Sequence, residues 1–117
     1  MILSHRTENK ICIISTEGDF TENESKKLLS YAIGLLHTNT RLQAMLINMK
    51  ETTNMDSFGL GVIAALSKCV QRKQMGFGIC QLTESINEVF NRTLLKKIIS
   101  IYDTEESALE IFAGTKS

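Results

Sequence analysis

A predicted strand passes into a predicted helix at the octapeptide Asn54-Met55-Asp56-Ser57-Phe58-Gly59-Leu60-Gly61. The apolar run 44–49 before it is typical of a strand covered on both faces, and the apolar positions after it recur at three- and four-residue steps. Ser57 therefore lies at or beside a helix N-terminus, where unpaired N–H groups and the helix dipole favour negative charge. Two interpretations remain open on these residues alone. Either Asp56 or Ser57 is a plain cap, or Ser57 is a site that handles an anion.

A phosphate on Ser57 would be compatible with such a helix start. It adds about −1.5 to −2 charges and three acceptor oxygens, which the free N–H groups of the helix can tolerate. A partner docked over the helix end would meet new bulk, new charge and a cost of desolvation. A loss of about 4 kcal/mol at that interface lowers the affinity about a thousandfold. The serine could therefore switch an interaction without a conformational change.

Hydrophobic periodicity along the chain predicts strands that alternate with helices. The predicted strands are 2–6, 10–16, 44–49, 77–82 and 98–102, and the predicted helices are 21–37, 56–74, 85–96 and 104–113. The order ββαβαβαβα predicts an α/β fold with a mixed, mostly parallel sheet of four to five strands and about four helices. The length of 117 residues, 43% of them hydrophobic, predicts one domain over residues 1–117.

Local signals place the expected boundaries of these elements. Thr7-Glu8-Asn9 is the predicted hairpin turn, and Gly18-Asp19-Phe20 is expected to break the second strand. Thr21-Glu22-Asn23-Glu24 has the form of a capping box, in which the Thr21 hydroxyl and the Glu24 carboxylate each bond a free N–H group. Lys50–Met55 is predicted to be a loop, and Gly76 is predicted to end the helix that Ser57 begins.

The composition argues against several classes of protein. Thirteen basic residues balance thirteen acidic ones, and there is no basic block, so nothing indicates binding to nucleic acid. The apolar runs are shorter than the ~20 residues that span a bilayer, and the N-terminus does not have the layout of a signal peptide. We therefore expect a cytoplasmic protein without a membrane partner.

The chain also lacks the residue patterns of an active site. His5 and His37 have no serine or cysteine partner at a known motif spacing, and Cys12, Cys69 and Cys80 lie in apolar segments without CxxC spacing. The cysteines are interpreted as small, reduced core residues. We therefore predict no catalytic residue, no metal site, no cofactor and no enzymatic activity.

The motif residues resemble those of the STAS domain, the fold of bacterial anti-sigma-factor antagonists. The resemblance begins with Leu46-Ile47-Asn48-Met49 and continues through Asn54–Val62, where Asp-Ser-x-Gly-Leu-Gly opens a helix. Phe90, Leu95–Ile99 and Ser107-Ala108-Leu109 match the later helix, the short strand and the last helix of the family. The resemblance covers nearly the whole chain and implies the same α/β architecture.

The resemblance also implies a function. In that family the serine after the motif aspartate, here Ser57, is phosphorylated by an anti-sigma factor that is also a serine kinase and supplies the ATP. The unphosphorylated domain binds this kinase and frees the sigma factor, the phosphorylated domain dissociates, and a serine phosphatase resets it. Ser57 is thus the implied phosphorylation site, and the implied partner-binding residues are Met55, Asp56, Ser57, Phe58 and Gly59. Gly59 and Gly61 would keep the helix start uncrowded.

Position 58 differs from the usual pattern, because family members commonly have a small residue where this chain has Phe58. The ring could face outward as a partner-specific anchor, or it could turn inward as part of the core.

Three other functions stay open on the sequence. A STAS scaffold that never cycles through phosphate could be a subunit of a stress-signalling or lipid-transport complex. A receiver-like domain would carry phosphate on Asp56, although Glu17 and Asp19 do not form the adjacent acidic pair that holds Mg²⁺ in receivers. A small ligand or nucleotide could bind at the carboxyl ends of the strands.

Overall fold

The computed structural model describes residues 1–114. Its elements are β1 Ile2–Glu8, β2 Ile11–Phe20, α1 Glu22–Thr38, β3 Ala44–Met55, α2 Ser57–Arg72, β4 Gly76–Cys80, α3 Glu84–Asn91, α4 Leu95–Ile98, β5 Ser100–Tyr102 and α5 Glu105–Gly114. The strands form one five-stranded sheet in the order β1-β2-β3-β4-β5. β1 pairs with β2 antiparallel, and the other neighbours pair parallel. The α/β fold, the element order and the mostly parallel sheet are therefore confirmed, with four of the helices seven residues or longer and one short.

The first hairpin turns at Asn9 and Lys10. The predicted turn, Thr7-Glu8-Asn9, was therefore placed too close to the N-terminus. Both turn residues have positive φ, 51° and 67°, as a two-residue turn that matches the twist of the strands requires. Thr7 and Glu8 belong to the ladder instead, where Glu8 pairs with Ile11.

β2 and β3 are longer than the sequence predicts. Gly18-Asp19-Phe20 does not break β2, and Lys50–Met55 is a strand and not a loop. Shifts in the β2–β3 register between Ser15 and Glu17 and between Gly18 and Asp19 let the ladder continue past the irregular stretch. The long ladder ends at Phe20 and Met55, which are paired, so two strand ends lie side by side.

Two helix boundaries also differ from the predictions. α2 ends at Arg72, with Gln74 in the left-handed region at φ 60°, and Gly76 is the first residue of β4 and not a C-cap. The helix predicted over 85–96 is divided into α3 and α4, because the Thr93 hydroxyl donates to the Phe90 carbonyl (2.9 Å) and accepts from the Leu95 N–H (3.2 Å). The last strand therefore begins at Ser100 and not at Ile98.

Both faces of the sheet are covered. Buried residues of α1, α2 and α3 pack on one face in a cluster that includes Ile14, Phe20, Leu28, Met45, Ile47, Ile63, Leu66, Ile79 and Phe90. α5 covers the other face in a smaller cluster of Ile11, Ile13, Ala44, Leu46, Cys80, Ala108 and Phe112. No helix within residues 1–114 is long and apolar enough to cross a membrane.

The cysteines agree with the interpretation as core residues at two of the three positions. Cys12 and Cys80 are buried, whereas Cys69 is half-buried, and all three are free thiols. Burial raises the pKa of Cys12 to about 11 and that of Cys80 to about 12. Both buried thiols are therefore protonated and unreactive near neutral pH.

Candidate functional site

The candidate site lies at the end of the sheet where β2 and β3 finish and where α1 and α2 begin. Because Phe20 and Met55 are paired, the residues that follow them, Thr21 and Asp56, are also close in space. The backbone N–H of Asp56 donates to the Phe20 carbonyl at 3.4 Å. Two helix N-termini therefore start from adjacent points of one sheet edge.

A single carboxylate caps both helices. Asp56 Oδ1 accepts from the Gly59 N–H at 3.0 Å, which is the N-cap bond of α2. Asp56 Oδ2 accepts from the Glu22 N–H at 3.2 Å, in the first turn of α1 and 34 residues away in the chain. The cap of α2 is thus Asp56 and not Ser57, which decides between the two residues that the sequence left open.

The predicted capping box at Thr21 and Glu24 does not form. Thr21 is the N-cap residue of α1, but its side chain makes no cap hydrogen bond. Glu24 pairs instead with Lys27 and with the Met1 ammonium group. The hydrogen bond from Lys27, followed by that from the ammonium, lowers the pKa of the Glu24 carboxyl. The prediction was wrong because Asp56, which is distant in sequence, supplies the side-chain cap of this helix.

Ser57 is the first residue of α2, and it is exposed. Its hydroxyl makes no hydrogen bond to any other residue in the range 1–114. Since Asp56 does the capping, the local structure does not need the hydroxyl. The Ser57 side chain is therefore exposed to solvent and is not used as a cap.

Phe58 faces outward, with 52% of its surface exposed. Of the two orientations that the sequence left open, the ring therefore has the outward one and is not part of the core. Gly61 and Ala65, which follow at helical spacing on α2, are exposed as well. The ring therefore stands next to small residues on the same side of the helix. An exposed aromatic ring with small neighbours is a shape that a complementary pocket can contact.

Gly59 is buried and makes a close approach to β2. A Cβ at this position would lie 2.5 Å from the Phe20 carbonyl oxygen and 2.6 Å from Phe20 Cδ1. The side chain of Met55, which is half-buried, would be 3.0 Å away. A Cβ at Gly61 would meet nothing within 4 Å. Of these two glycines, Gly59 is the one that serves a close approach, and it approaches the protein's own core.

A second polar group at this edge was missed by the sequence analysis. Asp19 Oδ1 accepts from Thr53 Oγ1 and from Asn54 Nδ2, both at 2.8 Å, and these bonds lower the pKa of the Asp19 carboxyl. They fix the last residues of β3 against β2 just before Asp56. The partners are 34 and 35 residues apart, so the strand pairing needed to find them was not visible locally.

The edge does not have the arrangement of a metal-dependent receiver. No group of three or more His, Cys, Asp or Glu side chains within 1–114 is placed to hold a metal ion. Both carboxylate oxygens of Asp56 accept backbone N–H groups, so this side chain acts as a cap.

Comparison with known proteins identifies the family. The family model described as "STAS domain" matches residues 3–108. The TM1081 homolog of Thermotoga neapolitana, named as a candidate anti-sigma factor antagonist, is 33% identical over 76 residues, which are 65% of this chain and 67% of the relative. The anti-sigma F factor antagonist of Paenibacillus polymyxa is 32% identical over 65 residues, or 56% of each chain.

Solved structures show the same fold at lower identity. An anti-sigma factor antagonist from Mycobacterium paratuberculosis superposes with a TM-score of 0.86 at 18% identity, covering 96% of this chain and 93% of that one. SpoIIAA in its unphosphorylated form gives 0.73 at 14% identity, covering 97% and 99%. SpoIIAA of Bacillus in its phosphorylated form superposes with a TM-score of 0.71 at 14% identity, covering 93% of this chain and 97% of that one.

Proposed function

The chain belongs to the STAS domain family, and we propose that it is an anti-sigma factor antagonist whose binding to its partner is switched by phosphorylation of Ser57. The family match and the named relatives support a regulatory protein without enzymatic activity of its own. SpoIIAA, which has the same fold, has been solved both with and without phosphate. The proposal takes residues 1–117 as one STAS domain that acts in the cytoplasm.

The exposed hydroxyl of Ser57, which makes no hydrogen bond to another of the residues 1–114, is the observation that carries the proposal. A kinase can reach this oxygen without unfolding α2, because Asp56 caps the helix. A phosphate there would lie at the positive end of a 16-residue helix, which favours an anion. Modification therefore changes the surface while the fold persists.

The partner in this proposal is an anti-sigma factor that is also a serine kinase. It binds the unmodified domain and releases its sigma factor, and it then transfers the γ-phosphoryl group of its own ATP to Ser57. The bond from Ser57 Oγ to phosphorus forms, the bond to the ADP oxygen breaks, and a base of the kinase accepts the hydroxyl proton. A serine phosphatase hydrolyses the phosphoserine and restores the binding form.

The proposed contact surface is centred on Ser57 and Phe58, which are both exposed. Phe58 would enter an apolar pocket of the partner, where a buried aromatic ring contributes strongly to affinity. Asp56, Met55 and Gly59 are less exposed and would shape this surface, with Gly59 holding α2 against the end of β2.

A binding measurement with a matched control tests this function. Ser57→Asp is expected to weaken binding to the cognate serine kinase at least about a hundredfold, since a charge is placed inside the interface. Ser85→Asp is the control, because Ser85 is also an exposed serine in the first turn of a helix, α3. It should bind like the wild type. Incubation with kinase and ATP should add one phosphoryl group at Ser57, and tight binding by Ser57→Asp would contradict the proposal.

The exposure of Phe58 favours one second candidate, a scaffold that holds its partner permanently. A ring that is 52% exposed is compatible with a partner that stays bound over it. In that case Phe58→Ala would weaken the complex while Ser57→Asp would not, whereas the switch proposal expects both to weaken it.

A further inference from the structure

One end of the molecule is basic, although the acidic and basic residues of the whole chain balance. We propose that this end binds the surface of a bilayer that contains anionic phospholipids. Six exposed cationic residues form it and are together called the basic end: Lys10, Arg41, Arg72, Lys73, Lys96 and Lys97. The inference goes beyond the proposed function, because it concerns the end of the sheet opposite to Ser57.

The parallel sheet gathers these cations at one edge. Each of the four parallel strands is preceded, within four residues, by one or two of them. Ile11, Ala44 and Gly76, the first residues of β2, β3 and β4, lie in register. The Gln43 N–H donates to the Lys10 carbonyl at 2.7 Å, which continues this row beyond the ladder. Cations that are far apart in the sequence therefore form one patch, which a search for a basic block could not find.

Neighbouring carboxylates do not neutralise the basic end. None of the salt bridges within residues 1–114 involves any of its six cations. Glu8, which ends β1 at this edge, pairs with Arg6, and Glu110 is exposed in the second half of α5. Most acidic residues lie at the other end, in strand ends and first turns of helices: Glu17, Asp19, Glu22, Glu24, Glu51, Asp56, Glu84, Asp103, Glu105 and Glu106. The electrostatic potential is therefore directed along the strands, with its positive side at the basic end.

Exposed aliphatic side chains stand among these cations. Leu94 and Ile98 are 75% and 64% exposed. They are four residues apart at α4, so they project from the same side of this turn, and two lysines of the basic end lie between them in the chain. Ile111 is also exposed, and it lines the same surface depression as Lys73. Aliphatic side chains beside cations are typical of elements that lie in a membrane interface.

The residue types favour a lipid surface over an acidic macromolecule. Surfaces that bind single-stranded nucleic acid combine cations with aromatic rings, and no described residue exposed at the basic end is aromatic. Hot spots of protein interfaces are enriched in Trp, Tyr and Arg, whereas leucine is under-represented there and four of these six cations are lysines. A bilayer accepts protruding aliphatic side chains at the boundary of its acyl chains, and its anionic headgroups attract lysine and arginine.

Such a contact lies on the membrane surface and needs no span. The sequence analysis expected no membrane partner because the apolar runs are short, but that argument excludes a span and not a surface contact. Ser57 and Phe58 lie at the opposite end of the sheet, so a domain bound through the basic end presents them to the surrounding solution. Membrane contact and binding of the proposed partner are therefore compatible.

Vesicle flotation tests the role of the cations. The protein should float with vesicles of phosphatidylcholine and phosphatidylglycerol in equal amounts and not with phosphatidylcholine alone, and high salt should release it. Lys96→Glu combined with Lys97→Glu should weaken binding at least about tenfold, since each lysine near an anionic surface contributes to the affinity.

Lys26→Glu combined with Lys27→Glu is the matched control. These lysines are also adjacent and exposed, but they lie in the first half of α1, near the end that carries Ser57. The control changes the net charge by the same amount and should float like the wild type. An equal loss in both double variants would overturn the inference. Failure of the wild type to float with the anionic vesicles would also overturn it and leave an acidic macromolecule as the occupant.

Tryptophan fluorescence tests whether the aliphatic side chains enter the bilayer. The chain contains no tryptophan, so Leu94→Trp supplies a single reporter at the basic end. Its emission should shift to shorter wavelength when anionic vesicles are added, because the ring leaves water. Ile2→Trp is the control, since Ile2 is exposed at the other end of the sheet, paired with Glu17, and its emission should not change.

Two results of these measurements would contradict a lipid surface. One is an unshifted emission of Leu94→Trp on vesicles that carry the protein, and the other is tighter binding to duplex DNA or RNA than to the anionic vesicles. Neither assay contains a kinase, so their failure leaves the proposed function unaffected. A kinase that ignores Ser57 contradicts the proposed function and leaves the membrane contact unaffected.

Discussion

Gly59 and Gly61 are two residues apart on α2, yet their surroundings are opposite. Gly59 is in contact with the end of β2, where a Cβ would overlap the Phe20 carbonyl oxygen. Gly61 faces open space. A glycine inside a helix costs about 0.5–1 kcal/mol relative to alanine because of its backbone entropy. The same residue type is thus required by close contact at one position and tolerated at the other.

Alanine at the two positions should change stability in opposite directions. Gly59→Ala is expected to destabilise the fold by about 1–3 kcal/mol, because the rigid Phe20 backbone must move away. Gly61→Ala is expected to stabilise it by about 0.5–1 kcal/mol through helix propensity. Urea unfolding of both variants measures the changes, and a Gly59→Ala protein as stable as the wild type would show that α2 does not need this close approach.

At the scale of the elements, the length of β3 depends on its neighbour. Its second half, 50–55, has the composition of a loop, but β2 continues beside it across two register shifts. The buried hydroxyl of Thr16 on β2 forms a hydrogen bond with the buried hydroxyl of Thr52 on β3 at 2.6 Å. The pairing satisfies polar groups that the interior would otherwise leave without partners.

We expect the effects of replacing Thr16 and Thr52 on the free energy of unfolding to be non-additive, because their hydroxyls bond each other. Thr52→Val should cost about 1–3 kcal/mol, because the buried Thr16 hydroxyl loses its partner. Replacing both threonines by valine should cost less than this single change, since no buried hydroxyl then remains unpaired. A double-mutant cycle by denaturant unfolding checks this. Simple additivity of the two changes would mean that the hydroxyl pair does not stabilise the long ladder.

Over the whole molecule, α5 is attached to the sheet through its first residue. The Glu105 carboxylate pairs with Arg6 of β1 and accepts from Asn48 Nδ2 of β3 at 3.0 Å. The hydrogen bond from Arg6, and then that from Asn48, lower the pKa of Glu105 although partial burial opposes them. The ionised carboxylate thus joins β1, β3 and the helix that covers the second face.

This attachment predicts a pH dependence of stability. The pKa of Glu105 in the folded protein lies below its ordinary value of 4.5, so its contribution is complete above pH 4.5 and is lost as the pH falls through the folded pKa. Glu105→Gln should therefore lower the free energy of unfolding by on the order of 1 kcal/mol at pH 7, and the difference from the wild type should shrink below pH 4.5.

Glu106→Gln is the control for this measurement, because Glu106 is exposed and forms no ion pair within residues 1–114. Its stability should follow that of the wild type at every pH. A Glu105→Gln protein whose deficit is the same at pH 3 and pH 7 would contradict the role of the ionised carboxylate.

Much of the fold was predictable because its signals are local. The apolar run 44–49 and the helical spacing after Ser57 indicated a buried strand and an amphipathic helix without knowledge of their neighbours. The errors lie where a distant atom competes with a local preference. Thr21 and Glu24 have the pattern of a capping box, but Asp56 took the position of the cap. Lys50–Met55 has loop composition, but β2 pairs with it.

The sequence by itself determines that strands alternate with helices and that the Ser57 hydroxyl lies at the start of a helix. Hydrophobic periodicity and helix-start chemistry act over a few residues, so one chain is enough to reveal them. Only the tertiary structure decided that Asp56 caps two helices, that Phe58 faces outward and that Gly59 contacts Phe20. The second cap made by Asp56 and the close approach of Gly59 to Phe20 depend on contacts between groups more than thirty residues apart, such as the bond that joins Asp56 to Glu22, 34 positions away. Such contacts exist only after the sheet has brought the ends of β2 and β3 together.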